Sequence, residues 1–267
     1  MPRLTVTATA VAAALAAGLA ATPATAHFQL VYTPDANLEA AGEIPLQLIF
    51  WHPMANGHVM DMAAPRQFFV RFRGATTDLK PSLGPITFVG LENEGRAFDA
   101  TTPLRRAGDY TFVVVPEPYY EASEDIFIQQ ITKNVVNRGG LPTDWAEPVG
   151  LPAEIVPLNK PYGVIAGSTF SGVVLSAGAP VAGAEIEIEY LPAAPDVDAK
   201  RPVSAAAAAI PGGAVTAITR ADGAFTFGIP KPGHWGFAAL GVGPETEHAG
   251  KELSQDAVLW VYAHAMN

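Results

Sequence analysis

The sequence predicts an all-β protein of two β-sandwich domains with one short helix. Three observations carry this. Apolar stretches are short and are broken by 24 prolines and 25 glycines in 267 residues, a punctuation that suits strands and turns and leaves little room for helices. Alternating apolar patterns recur in both halves, whereas helical periodicity shows in one place. A Pro-rich stretch, 141–167, separates the halves and reads as a connector.

Residues 1–26 read as a secretory signal: Arg3 opens it, Val11 to Ala21 form an apolar run, and Ala24-Thr25-Ala26 is a small-residue cleavage site. Cleavage after Ala26 makes His27 the first residue of a mature chain of 267 − 26 = 241 residues. No second apolar run is long enough to span a bilayer, so the expected product is exported and periplasmic. A net charge of −10 speaks against nucleic acid and anionic membrane surfaces as partners and suits a metal cation. With no cysteine, thiolate metal sites are excluded; a metal must be held by His, Met, carboxylates, the terminal amine or backbone.

The first domain, 27–140, is expected to be an Ig-like sandwich. Its candidate strands are Ile44 to Trp51, Gln67 to Phe72, Ile86 to Leu91 and Gly108 to Val115. In the first of these, apolar residues fill both alternating sets, which predicts burial on both faces. Phe127, Ile131 and Val135 are spaced four apart after Ser123, a candidate N-cap, with Gly139 as a stop, so a helix is expected at 123–136. The second domain, 168–267, alternates around turns at Ala177-Gly178 and Asp222-Gly223, the latter a strong hairpin signal. Residues 192–213, with the run Ala205 to Ala209, read as a mobile loop insertion.

The chemistry concentrates in Phe50 to Met62. His52, His58, Met54, Met60 and Met62 fall within eleven residues, around a turn marked by Pro53, Asn56 and Gly57 at the end of a strand. Two readings stand for them. They are ordinary loop histidines over methionine core filler, or they form one jaw of a metal site whose other jaw is His27. A terminal His offers its α-amine and the ring nitrogen nearest the backbone. With His52 and His58 this makes four nitrogen donors, suited to nickel, cobalt or copper, with Met60 as a further neighbour. Gln29 rules out the tripeptide motif that needs a third-position His, so the remaining donors must come from the fold. His234, His248 and His264 read as structural or solvated. No Gly-x-Ser-x-Gly elbow or phosphate loop is present, and the chain is read as a binding protein rather than an enzyme.

Four pieces carry a resemblance: Ala26-His27-Phe28; His52-Pro53 with Gly57-His58 and Met60; Tyr119-Tyr120-Glu121; and Glu154 to Leu158. With them the chain resembles an exported bacterial family of formally unknown function, described as periplasmic components of nickel or cobalt ABC-type transport systems. The resemblance implies nickel, cobalt or another divalent transition metal as cargo, with nickel foremost. It implies an energy-coupling-factor type membrane importer as partner, and His27, His52 and His58 as ligands. The alternative is a periplasmic copper chaperone using His27 and the methionines. Ser168 to Leu240, with Gly183-Ala184, Asp222 to Phe225 and Pro232-Gly233, is similar to carboxypeptidase regulatory-like domains, which implies a transthyretin-like second sandwich.

Overall fold

A computed structural model describes residues 27–208 and 214–266. The signal segment 1–26 and its cleavage site lie outside the described residues. The fold is all-β. Among the described residues the one helical piece is a single 3-10 turn, Lys80–Ser82.

Three sheets organise the chain. The first orders Phe28–Tyr32, Gly42–Trp51, Glu94–Leu104 and Gly84–Val89, with Val59–Met60 paired to the end of Gly42–Trp51. The second is a twelve-stranded sheet running through both halves of the chain. Its centre is the parallel pair Ile126–Arg138 and Lys251–His264, in register from Phe127↔Leu253 to Asn134↔Trp260. One continuous sheet therefore spans the two sandwich units expected from the sequence. The third is built on Thr169–Ser176, which pairs with Ala153–Pro157 and Ala224–Gly228, so the Pro-rich connector itself contributes a strand.

The helix expected at 123–136 is instead the strand Ile126–Arg138. A spacing of four is even, so Phe127, Ile131 and Val135 also share one face of a strand. Thr132, Val135 and Val136 are β-branched, and the strand is buried almost throughout. Ser123 lies in the turn before the strand, and Gly139, at φ 74°, follows its end. The Asp222-Gly223 turn also forms, with Gly223 N–H donating to Arg220 O at 2.9 Å, but it is not a hairpin. Its arms part: Val215–Ile218 joins Glu185–Tyr190 in the large sheet, and Ala224–Gly228 joins Thr169–Ser176 in the facing one.

Three apolar cores result. One lies in the second half, around Ile155, Phe170, Phe225, Phe237 and Leu259. Another lies under the first sheet, around Leu46, Leu48, Phe50, Phe68 and Phe112. The third joins the halves: Phe28, Leu30, Ile49 and Trp51 meet Ala238, Val258 and Trp260. As its sequence predicts, the Gly42–Trp51 strand feeds a core on each face. At the junction Phe28 sits over Gly236, where a Cβ would come within 2.9 Å of both Phe28 and Trp260. Only glycine permits that approach.

Candidate metal centre

The antiparallel register of the first two strands sets the site. Phe28 opposes Trp51 and Gln29 opposes Phe50, so one step further His27 opposes His52. Side chains directly opposite share a face and lie within contact of each other. The two imidazoles accordingly meet, with ring centroids 4.4 Å apart. Phe50 and Tyr119 flank the His27 ring at 5.7 and 6.3 Å and pack edge to face on each other. A cavity of about 160 Å³ opens beside this cluster, lined by Phe50, Tyr119, Gln29 and Gln130 among others.

His27 is anchored at both its backbone and its ring. Gln130 Nε2 donates to His27 O at 2.7 Å while Gln130 Oε1 accepts from Gln29 N–H at 2.8 Å. The ring Nε2 lies 2.9 Å from Glu121 Oε2. Glu121 ends the short strand Tyr119–Glu121, which folds back on Ile126–Ile128, and its other oxygen accepts from Ser123 N–H and Oγ–H at 2.9 and 2.6 Å. Burial works against the Glu121 charge, but the Ser123 hydrogen bonds and the adjacent His27 outweigh it and hold the carboxyl below its usual range. Burial, with the charges of Glu121 and Asp61, raises the Tyr119 hydroxyl.

The other expected ligands fall differently. His58 continues the row on the far side of His52, whose N–H donates to His58 O at 3.2 Å. The His58 ring is exposed and lies 3.3 Å from Asn93 Nδ2. Met60, 2 % exposed, lies opposite Phe50 in the same core, and Met54 and Met62 are buried as well. Among the described residues no group of three or more His, Cys, Asp or Glu gathers as a metal-holding cluster. His234 is buried against Tyr32 and Tyr262, and burial lowers it to about 4.

The second half of the chain clamps the His52 to His58 loop. Glu189 Oε2 accepts from Met54 N–H at 2.7 Å. Asn56 Nδ2 donates to Ser204 O and Ala206 O, each at 3.0 Å, and Ala208 N–H donates to Met54 O at 2.7 Å. The described part of the insertion expected to be mobile is thus docked on the site loop and carries a short ladder, Pro195–Asp196 with Arg201–Pro202; residues 209–213 lie outside the description.

Sequence reasoning missed Glu121 as a partner of His27 and Glu189 as the loop's anchor. The available signal for Glu121 was its place in the Tyr119-Tyr120-Glu121 piece; for Glu189 it was an acidic residue at every second position of an otherwise apolar strand, Glu185–Tyr190.

A family profile described as "Domain of unknown function (DUF4198)" matches residues 24–243. No curated protein matches the chain. Among solved structures, the D0-D1 domain of intimin is 12 % identical and aligns over 86 % of this chain and 96 % of its own, with a TM-score of 0.21. The Yersinia pseudotuberculosis adhesin InvE is 13 % identical over 86 % of this chain and 58 % of its own, with a TM-score of 0.23. The Clostridium thermocellum CbhA fibronectin(III)-like modules are 8 % identical over 90 % and 95 %, at 0.22. Likenesses at such scores say nothing of function. Among the described residues no helix is long and apolar enough to cross a membrane.

Proposed function

The chain belongs to the DUF4198 family, and on that premise we propose that it is a periplasmic metal-binding protein that captures nickel or cobalt and delivers it to a membrane importer. The observation that supports this reading is the pairing of His27 and His52 at 4.4 Å, imposed by the strand register. Once the leader is removed after Ala26, the α-amine and Nδ1 of His27 form a chelate, and His52 adds a third nitrogen across the strand. His58 lies one strand further along the same row, with its exposed ring beside Asn93. An all-nitrogen set of this kind suits nickel, cobalt and copper. Met62 lines the cavity beside this pair, its sulfur accepting from Gln29 Nε2 at 3.5 Å, which supports the copper chaperone as the alternative reading.

Calorimetry on signal-cleaved, untagged protein tests the reading. The expected result is roughly one nickel ion per chain, with affinity falling as pH drops through about 8 to about 6.5, because amine and imidazole must be deprotonated to bind. Replacing His27 with Ala, or adding one residue before it, should abolish tight binding. Unchanged affinity in both would remove the amine chelate. Tight Cu(I) binding lost on replacing Met60 and Met62 would put copper in place of nickel.

A further inference from the structure

We infer that Glu121 is a positioning residue of this site: it holds the proton of His27 on Nε2, so that Nδ1 is the ring nitrogen able to ligate the metal. The inference rests on the metal-binding reading above. A neutral imidazole carries its proton on one nitrogen and its lone pair on the other. An ionised carboxylate only accepts, so the 2.9 Å contact between Nε2 and Glu121 Oε2 places the proton on Nε2. Nδ1 is the ring nitrogen that closes a six-membered chelate with the α-amine of the same residue; Nε2 points away from it. The tautomer enforced by Glu121 is therefore the one that a terminal histidine needs to grip an ion with both groups.

The geometry around Glu121 fits such a role. Its second oxygen is tied to Ser123 by two hydrogen bonds, so the carboxylate is fixed before any metal arrives. The turn that follows is pinned in turn, with Lys251 and Tyr120 both donating to Asp125. His27 and Glu121 keep only 11 % and 14 % of their side-chain surface, so water competes weakly for the contact. Phe50 and Tyr119 stand beside the His27 ring, and Gln130 fixes its backbone. A carboxylate behind a ligating histidine orients the ring and raises its basicity, and its loss typically weakens metal binding about ten- to a hundred-fold.

The test joins two measurements on signal-cleaved, untagged protein. Long-range proton–nitrogen NMR of the ¹⁵N-labelled, metal-free protein, recorded at rising pH until the His27 ring signals no longer shift, reads the His27 tautomer. Titration with nickel chloride reads affinity. In the wild type His27 should be the Nε2–H tautomer. Glu121→Leu should lose that preference and bind nickel about ten- to a hundred-fold more weakly. Glu121→Gln, whose amide oxygen still accepts from Nε2–H, should keep the tautomer and lose less. A purely structural role would weaken both variants without moving the tautomer. An Nδ1–H tautomer in the wild type, or unchanged nickel affinity in a folded Glu121→Leu protein, overturns the inference. A wild type that binds no nickel overturns the metal reading, and the metal-free NMR then decides the role of Glu121 by itself.

Discussion

Replacing Glu189 with Gln should make the protein more stable, and more so the higher the pH. Glu187 and Glu189 project from the face of the Glu185–Tyr190 strand opposite to Ile186 and Ile188, and each is 8 % exposed. Burial, partly offset by the Met54 N–H and reinforced by the charge of Glu187, pushes the Glu189 carboxyl from 4.5 up to about 8. The folded chain therefore holds this proton more tightly than the unfolded chain. The stability the group contributes is complete below the unfolded value and is lost as pH climbs through the folded one. With those two values, the deficit that Gln removes is about 1 kcal/mol at pH 5 and about 4 kcal/mol at pH 8. The substitution keeps an oxygen for Met54 N–H, and any packing cost of the new amide is the same at both pH values. The difference of about 3 kcal/mol is therefore the quantity to measure. Urea unfolding of wild type and variant at the two pH values gives it directly. An equal gain at both would show that Glu189 ionises normally and that water reaches the clamp beneath the site loop.

Two further substitutions probe how the halves are held together. Lys133 and Glu154 form a buried pair at 2.5 Å, and Glu154 also accepts from the N–H groups of Val149, Gly150 and Leu151. Burial opposes the Glu154 charge, but Lys133 and these donors hold it below the usual carboxylate range. Lys133→Met should cost about 3–5 kcal/mol at neutral pH, and less in acid, where protonation removes the stranded charge; a pH-independent loss in urea unfolding would refute this. Asn56→Gly keeps the positive φ of 51° and removes the two bonds to Ser204 and Ala206. It should cost about 1–3 kcal/mol and speed amide exchange at Ala208, whose N–H meets Met54 O. Exchange there as slow as in the wild type would mean the insertion docks without Asn56.

Much of the architecture was legible in the chain. Pro and Gly punctuation announced an all-β fold, and the doubly apolar run at Ile44 to Trp51 announced a strand with two buried faces. Short-range chemistry also drew attention to His27, His52 and Tyr119 to Glu121. What failed did so for definable reasons. An even spacing of four fits a helix and a strand face equally, so Ile126–Arg138 looked helical until its neighbours were known. The Asp222-Gly223 turn sets a reversal of direction but not the sheet that each arm joins.

The sequence by itself determined the class of fold, the sites of chain reversal and the residue types able to hold a metal, because alternation, turn residues and donor chemistry are local properties. Only the tertiary structure decided the partners. The parallel pairing of Phe127 with Leu253, the contact of His27 with Glu121 and the docking of Ala208 on Met54 join residues 94 to 154 positions apart. Such contacts form because whole strands bury apolar faces together, and the residues that meet at their ends carry no local mark of it.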